Sequence, residues 1–90
     1  MFKTLEELIA VIRQRKESSV QESYTYKLLN NKKLSVEKVK EEITELIDAI
    51  EKNTNKIHEA ADVLYHLMVL LEANDIKIED VLEELKKRQK

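Results

Sequence analysis

The residues with the clearest capacity for chemistry are carboxylates. Glu41, Glu42 and Glu45 fall within one helical turn, and after 13 intervening residues Glu59 and Asp62 repeat that spacing. Residues three or four apart on a helix share a face, and like charges placed there repel. Taking a carboxylate out of water costs several kcal/mol unless something compensates it. The two acidic groups therefore face either solvent or a cation. A cluster of acids with no balancing arginine suits a hard divalent cation, and oxygen-only ligation favours Mg²⁺ or Mn²⁺ over zinc. Mg²⁺ held by carboxylates and waters typically serves a phosphate-bearing substrate. The competing reading is an ordinary solvated acidic face, which is where most Asp and Glu are found.

What raises the carboxylates above surface charge is the segment that carries Glu59 and Asp62. Ile57, Ala60, Ala61, Val63, Leu64, Tyr65, Leu67, Met68, Val69, Leu70 and Leu71 surround it on almost every side. A helix apolar all round is buried all round, yet Glu59, Asp62 and His66 form one polar stripe along it at i, i+3 and i+7. A domain this small can scarcely cover such a helix alone, so its exposed apolar flank predicts a homodimer interface. The preceding helix is expected to end near Lys52 and to return antiparallel after Asn53-Thr54-Asn55. Residues whose numbers sum to about 107 then lie at equal height, which sets Glu45 level with Asp62 and Glu41 and Glu42 one turn further from the connection.

Composition narrows the scaffold that positions these acids. The chain of 90 residues has no glycine and no proline, which argues against strands and tight turns and excludes glycine-dependent phosphate loops. With 38 % charged residues it suits amphipathic helices. A net charge of −2 is a poor match to DNA or RNA. Without cysteine there is no disulfide, thiolate nucleophile or cysteine-based zinc site. The longest wholly apolar run, Leu67 to Leu71, is too short to span a membrane, and no signal peptide is expected at the N-terminus, so a cytoplasmic protein is the default. A single all-α domain over residues 1–90 is expected, near the lower size limit for folding alone, with a second copy supplying the missing burial.

The periodicity predicts five helices. Thr4 with Glu7 reads as a capping box, opening a helix that turns Leu5, Leu8, Ile9 and Ile12 inward and ends near Arg15–Ser18. A second helix is expected from about Val20 to Leu29, stopped by Asn30-Asn31. Ser35 is expected to cap a third, running to about Lys52 with Val36, Val39, Ile43, Ile47 and Ile50 as its apolar stripe. The fourth covers about Lys56 to Ala73, closed by Asn74-Asp75, and a fifth covers roughly Ile78 to Lys87 with Val81, Leu82 and Leu85 inward.

Several residues have plain structural readings. His58 gives His-Glu-x-x-Asp, but the second histidine of a zincin helix is missing. His66 is expected to be a structural hydrogen-bonder at the dimer interface, and Tyr65 a core or interface ring whose hydroxyl finds a partner. Arg13, Arg15 and Lys16 sit where cations complement the end of the first helix. The Lys86-Lys87-Arg88-Lys90 tail reads as a solvated helix end.

Three stretches together resemble a known group of enzymes: Lys38-x-x-Glu41-Glu42-x-x-Glu45, Glu59-Ala60-Ala61-Asp62-Val63-Leu64-Tyr65-His66-Leu67, and Ser23-Tyr24-Thr25 followed by Lys27-Leu28. The double acidic motif resembles the all-α, MazG-like nucleotide pyrophosphohydrolases. With the Ser-Tyr-Thr and Asp-x-x-Tyr-His elements, the chain from Leu5 to Arg88 resembles phosphoribosyl-ATP pyrophosphohydrolase. The resemblance implies a bundle of four to five helices completed by homodimerisation. It also implies hydrolysis of phosphoribosyl-ATP to phosphoribosyl-AMP and pyrophosphate in histidine biosynthesis, by metal-activated water at the α–β phosphoanhydride. On this reading Glu42, Glu45, Glu59 and Asp62 hold Mg²⁺ or Mn²⁺, while Glu41 joins them or orients the water. Lys38 contacts phosphate, and Tyr24, Thr25 and Lys27 contact substrate from a helix that acts as a wall or lid. A house-cleaning (d)NTP pyrophosphohydrolase and a non-enzymatic helical dimerisation module are the alternatives. Neither a nucleic acid nor a membrane is an expected partner.

Overall fold

Where the chain must reverse without glycine, asparagine and aspartate take the left-handed conformation. Asn53 (φ 56°), Asn55 (φ 48°) and Asp75 (φ 57°) occupy the region that a β-carbon normally penalises. Short polar side chains tolerate it because they can hydrogen-bond locally. Asn30 and Asn74 close their helices differently: each side-chain amide donates to the carbonyl four residues back, at 2.9 Å in both cases. These turns separate the helices α1 (Lys3–Glu17), α2 (Tyr24–Leu29), α3 (Lys32–Lys52), α4 (Lys56–Ala73) and α5 (Ile78–Arg88). The computed structural model describes residues 2–17 and 23–89, and no strand forms among them. The expected start of the second helix at Val20, the far end of the first at Ser18, and Lys90 of the tail lie outside the described residues.

The bounds of α4 are those the periodicity predicts, while three helix starts differ: Ser23, expected inside the second helix, is instead the extended N-cap of α2. The first helix begins at Lys3, so Thr4 lies inside its first turn and does not cap it. The Phe2 carbonyl instead accepts from the amides of Leu5 and Glu6 at 3.1 and 3.3 Å. The third begins at Lys32, capped by the Asn31 side chain, which accepts from the Leu34 amide at 3.1 Å. Ser35 is therefore not a cap. It is buried, and its hydroxyl donates to the Leu28 carbonyl at 2.5 Å, tying the end of α2 to the start of α3. Asparagine so close upstream supplies the side-chain acceptor one turn earlier, which frees the serine for that role.

Ile12, Leu28, Leu29, Met68, Val69 and Ala73 form the core, with Leu5, Leu8 and Ile9 of α1 packed against it as their spacing predicts. The apolar stripe of α3 does not follow the same rule. Val39 is buried, but Val36, Ile43, Ile47 and Ile50 are exposed. The buried positions of α3 are instead Ser35, Val39, Glu42 and Ala49. Periodicity marks which residues share a face, but not what that face meets.

The last helix is attached lightly. Ile78 reaches the core, whereas Leu82 and Leu85, expected inward, are about half exposed because no other described element covers them. Its main polar attachment is Arg13 of α1, whose guanidinium forks onto Glu79 at 2.6 and 2.9 Å and also donates to Glu72 of α4 at 2.7 Å. Lys16 reinforces the same corner by donating to Asp75 and to the Glu72 carbonyl, both at 2.7 Å. The Arg13 guanidinium pulls the Glu79 carboxyl down to about 2. A carboxyl lowered by folding contributes stability that is present above its unfolded value and disappears as pH falls through the folded one. Amide exchange should therefore show α5 losing protection as pH drops from about 4.5 towards 2. Protection of Val81–Leu85 that persists unchanged below pH 2 would show that the fork does not hold this helix.

Candidate functional site

Helices α3 and α4 pack against each other antiparallel and bring the two acidic groups together. Glu42 is buried, with 9 % of its surface exposed, on the side of α3 that meets α4. The Glu41, Glu42 and Glu45 carboxylates offer oxygens within 4.8 Å of one another, and so do Glu59 and Asp62 together with a His58 ring nitrogen. Across the helix pair Glu42 senses Asp62 and His66, while Glu59 senses Glu45. Glu42 and Glu45 of α3 thus lie within electrostatic range of Asp62 and Glu59 of α4.

Their electrostatics are those of an uncompensated cluster. Burial raises the Glu42 carboxyl above the usual carboxylate range, and the nearby charge of Glu45 raises it further. Burial also raises Glu59, with Glu45 again the next cause. Glu45 is thus the shared neighbour of both. One oxygen of each raised carboxyl, Glu42 Oε2 and Glu59 Oε2, is buried and has no hydrogen-bond partner. A buried acceptor left without a donor is costly. Carboxylates with two orphaned oxygens fit a hard divalent cation, and the groups that could hold one are Glu41, Glu42 and Glu45 on α3 and Glu59 and Asp62 with His58 on α4.

The surroundings are anchored from three sides. Lys38 pairs with Glu41 at 3.4 Å, and its ammonium also senses Glu42 and Tyr24. His58 stands 3.4 Å from an Asp62 oxygen. Helix α2 crosses the far end of the cluster, its first turn capped by Ser23, which accepts from the Tyr26 amide at 3.4 Å. Two hydroxyl contacts then fix α2 on α4: Tyr24 Oη to His66 Nε2 at 2.9 Å, and Thr25 Oγ1 to Tyr65 Oη. The Tyr24 and Tyr65 rings stack with centroids 6.3 Å apart, and His66 meets both edge-on.

Tyr24 and Lys38 therefore lie beside the acids, whereas Thr25 spends its hydroxyl on α4. Lys27 is exposed and pairs with none of the described residues. His66 is a structural hydrogen-bonder, as its burial beside polar neighbours predicts. Two links are absent from the sequence reading, His58 to Asp62 and His66 to the Asp62 carbonyl. Both histidines lie four residues from Asp62, a spacing that could have revealed the contacts.

Fold and site together define an all-helical domain with two groups of acidic side chains, on two antiparallel helices, that could hold a metal ion. Comparison with known proteins narrows this class. Residues 5–89 match the phosphoribosyl-ATP pyrophosphohydrolase family. A phosphoribosyl-ATP pyrophosphatase of Clostridium novyi is 46 % identical over 90 residues, spanning 96 % of this chain and 81 % of that protein. One from Methanocella arvoryzae is 42 % identical, with 100 % of both chains covered. The histidine biosynthesis bifunctional protein HisIE of Pyrococcus furiosus is 45 % identical over 87 residues, and the chain spans 41 % of its length. The chain belongs to the phosphoribosyl-ATP pyrophosphohydrolase family.

The raised Glu42 carboxyl carries a consequence for stability. A group raised by folding contributes stability below its unfolded pKa and loses it as pH rises through the folded value. At neutral pH the ionised Glu42 therefore opposes folding unless a cation is bound. Metal-free Glu42→Gln should melt above the metal-free wild type at pH 7. A divalent cation should raise the wild-type midpoint and leave the variant's unchanged. A variant less stable than wild type without metal would show that Glu42 is an ordinary structural acid.

Proposed function

We infer that this chain hydrolyses phosphoribosyl-ATP to phosphoribosyl-AMP and pyrophosphate, the step of histidine biosynthesis that its relatives' names describe, with Mg²⁺ or Mn²⁺ held by Glu42, Glu45, Glu59 and Asp62. The observation that carries the reading is the pair of orphaned buried oxygens, Glu42 Oε2 and Glu59 Oε2, one in each of the two acidic groups on α3 and α4. The family match over residues 5–89 favours phosphoribosyl-ATP over a canonical (d)NTP, and the orphaned oxygens disfavour a purely structural helical module.

A water oxygen bonds to phosphorus at the α–β anhydride, the bridging P–O bond breaks, and pyrophosphate leaves with the electron pair. When bound, the cation polarises the phosphoryl oxygens and offsets the charge of the leaving group. Glu41, exposed and paired with Lys38, is the carboxylate that orients the attacking water and accepts its proton. Lys38 meets phosphate as a point charge. The Tyr24 ring forms the wall on the nucleoside side, Thr25 fixes that wall through Tyr65, and Lys27 reaches the outer part of the substrate. No side chain of the cluster is a convincing nucleophile, so the reaction proceeds without a covalent intermediate. Pyrophosphate release from phosphoribosyl-ATP should require Mg²⁺. It should fall in Glu45→Gln by at least the roughly 100-fold that loss of even an outer-shell metal partner can cost. Equal release with and without the cation, or a fully active Glu45→Gln, would overturn the assignment.

A second copy of the chain covers the apolar faces left open in one. Ile43, Ile47 and Ile50 of α3 are exposed, and Ile57 of α4 is 88 % exposed. Beside Ile57 runs a groove of about 650 Å³ lined by Phe2, Leu5, Leu8, Ala61 and Leu64. Contiguous apolar surface of this kind marks an interface. Sedimentation should find the wild type as a dimer or larger at micromolar concentration and Ile47→Glu shifted to monomer, while a monomeric wild type would refute the pairing.

A further inference from the structure

The hydrogen-bond polarity around Tyr24 is fixed by elementary chemistry. His66 Nδ1 stands 2.8 Å from the Asp62 carbonyl oxygen, which can only accept, so Nδ1 carries a proton and donates it. In the neutral ring Nε2 is then an acceptor, and its partner at 2.9 Å, the Tyr24 hydroxyl, must be the donor. His66 is only 7 % exposed, so water offers little competition for that nitrogen. With its one proton committed to His66, the Tyr24 oxygen has only lone pairs left to present to the pocket.

We propose that Tyr24 is a specificity residue that presents an acceptor-only oxygen to the pocket, held in that state by His66, and that its ligand is a sugar hydroxyl of the nucleotide. The inference rests on the pyrophosphohydrolase reading of the acidic cluster. An acceptor-only group cannot donate to phosphate oxygens, which are themselves acceptors. The substrate groups that can donate to it are sugar hydroxyls and the base amine. Tyr24 stands beside the acidic residues, because its hydroxyl bonds His66, whose other ring nitrogen bonds the Asp62 carbonyl. The sugar that carries the cleaved phosphates is one ester linkage from them and the base lies further off, so the hydroxyl is the donor within reach. Burial pushes the Tyr24 phenol upward, which keeps its proton in place for His66. The Tyr24 ring is half-exposed while its hydroxyl is bonded inward, as a group that both anchors α2 and meets a ligand requires. His66 touches no substrate on this account and is a positioning residue.

The test combines a tautomer measurement with a binding comparison, using the intact protein with Mg²⁺. Nitrogen-15 spectra of His66 should show Nδ1 protonated and Nε2 bare. AMP should compete with phosphoribosyl-ATP about threefold to tenfold better than its 2′-deoxy or its 3′-deoxy form, the value of one neutral hydrogen bond. Tyr24→Phe should erase that preference and raise KM by a similar factor while kcat stays within about twofold of wild type. His66→Leu should do the same, and the double variant should be no worse than either single one, because the pair acts as one unit. If His66→Leu does not fold, Tyr24→Phe and the nitrogen spectra still decide. A protonated Nε2, a wild type indifferent to both sugar hydroxyls, or a Tyr24→Phe that loses kcat with KM unchanged would overturn the proposal. A wild type that leaves phosphoribosyl-ATP intact would instead overturn the reading on which it rests.

Discussion

The feature on which the rest of the structure depends is the concentration of carboxylates between α3 and α4. Glu42 and Glu59 each bury an oxygen with nothing to donate to it, and each is pushed towards the protonated form by burial and by Glu45. A small domain has little stability in reserve, and a buried charge without a partner takes a substantial share of it. Such a cluster serves no purpose in packing. On the proposed function a divalent cation would complete it, and the family to which the chain belongs is named for a phosphate-bearing substrate.

The other helices work against that repulsion. Two hydroxyl contacts from consecutive residues, Tyr24 and Thr25, hold α2 on α4, and the Ser35 hydroxyl fastens the end of α2 to α3. These attachments clamp α2 in place, which favours the wall among the two roles, wall or lid, expected of it. On the opposite side, Arg13 gathers Glu72 and Glu79 and Lys16 takes Asp75, so the positive charge at the end of α1 is consumed in joining α1, α4 and α5. The molecule thus separates its charges: acids paired with Arg13 and Lys16 fasten the helices at one end, and Glu42 and Glu59, each with an unpartnered oxygen, lie at the other.

The sequence made the helices legible because the hydrophobic period and the asparagine stops are local signals. Lys56–Ala73 and the turn at Asn53–Asn55 can be read from them directly. The acidic site was legible as well, since Glu59 and Asp62 interrupt an otherwise apolar helix and only a special reason keeps them there. What stayed hidden depends on neighbours distant in sequence. Ser35 looks like a cap until Asn31 takes that place, and the α3 stripe looks like core until α4 is found to pack against Glu42 and Ala49 instead. Leu82 and Leu85 have inward spacing but nothing to meet within the chain. The Arg13 fork, which joins residues 59 and 66 positions apart, has no local signature at all.

The most direct test of the central claim is anomalous diffraction from crystals grown with Mn²⁺. The account predicts one strong peak between α3 and α4, bonded at about 2.0–2.2 Å to carboxylates from both the Glu42–Glu45 and the Glu59–Asp62 turns. Carboxylates splayed to solvent with no peak between them, or Mn²⁺ bound only elsewhere on the surface, would show that the cluster is not a metal site.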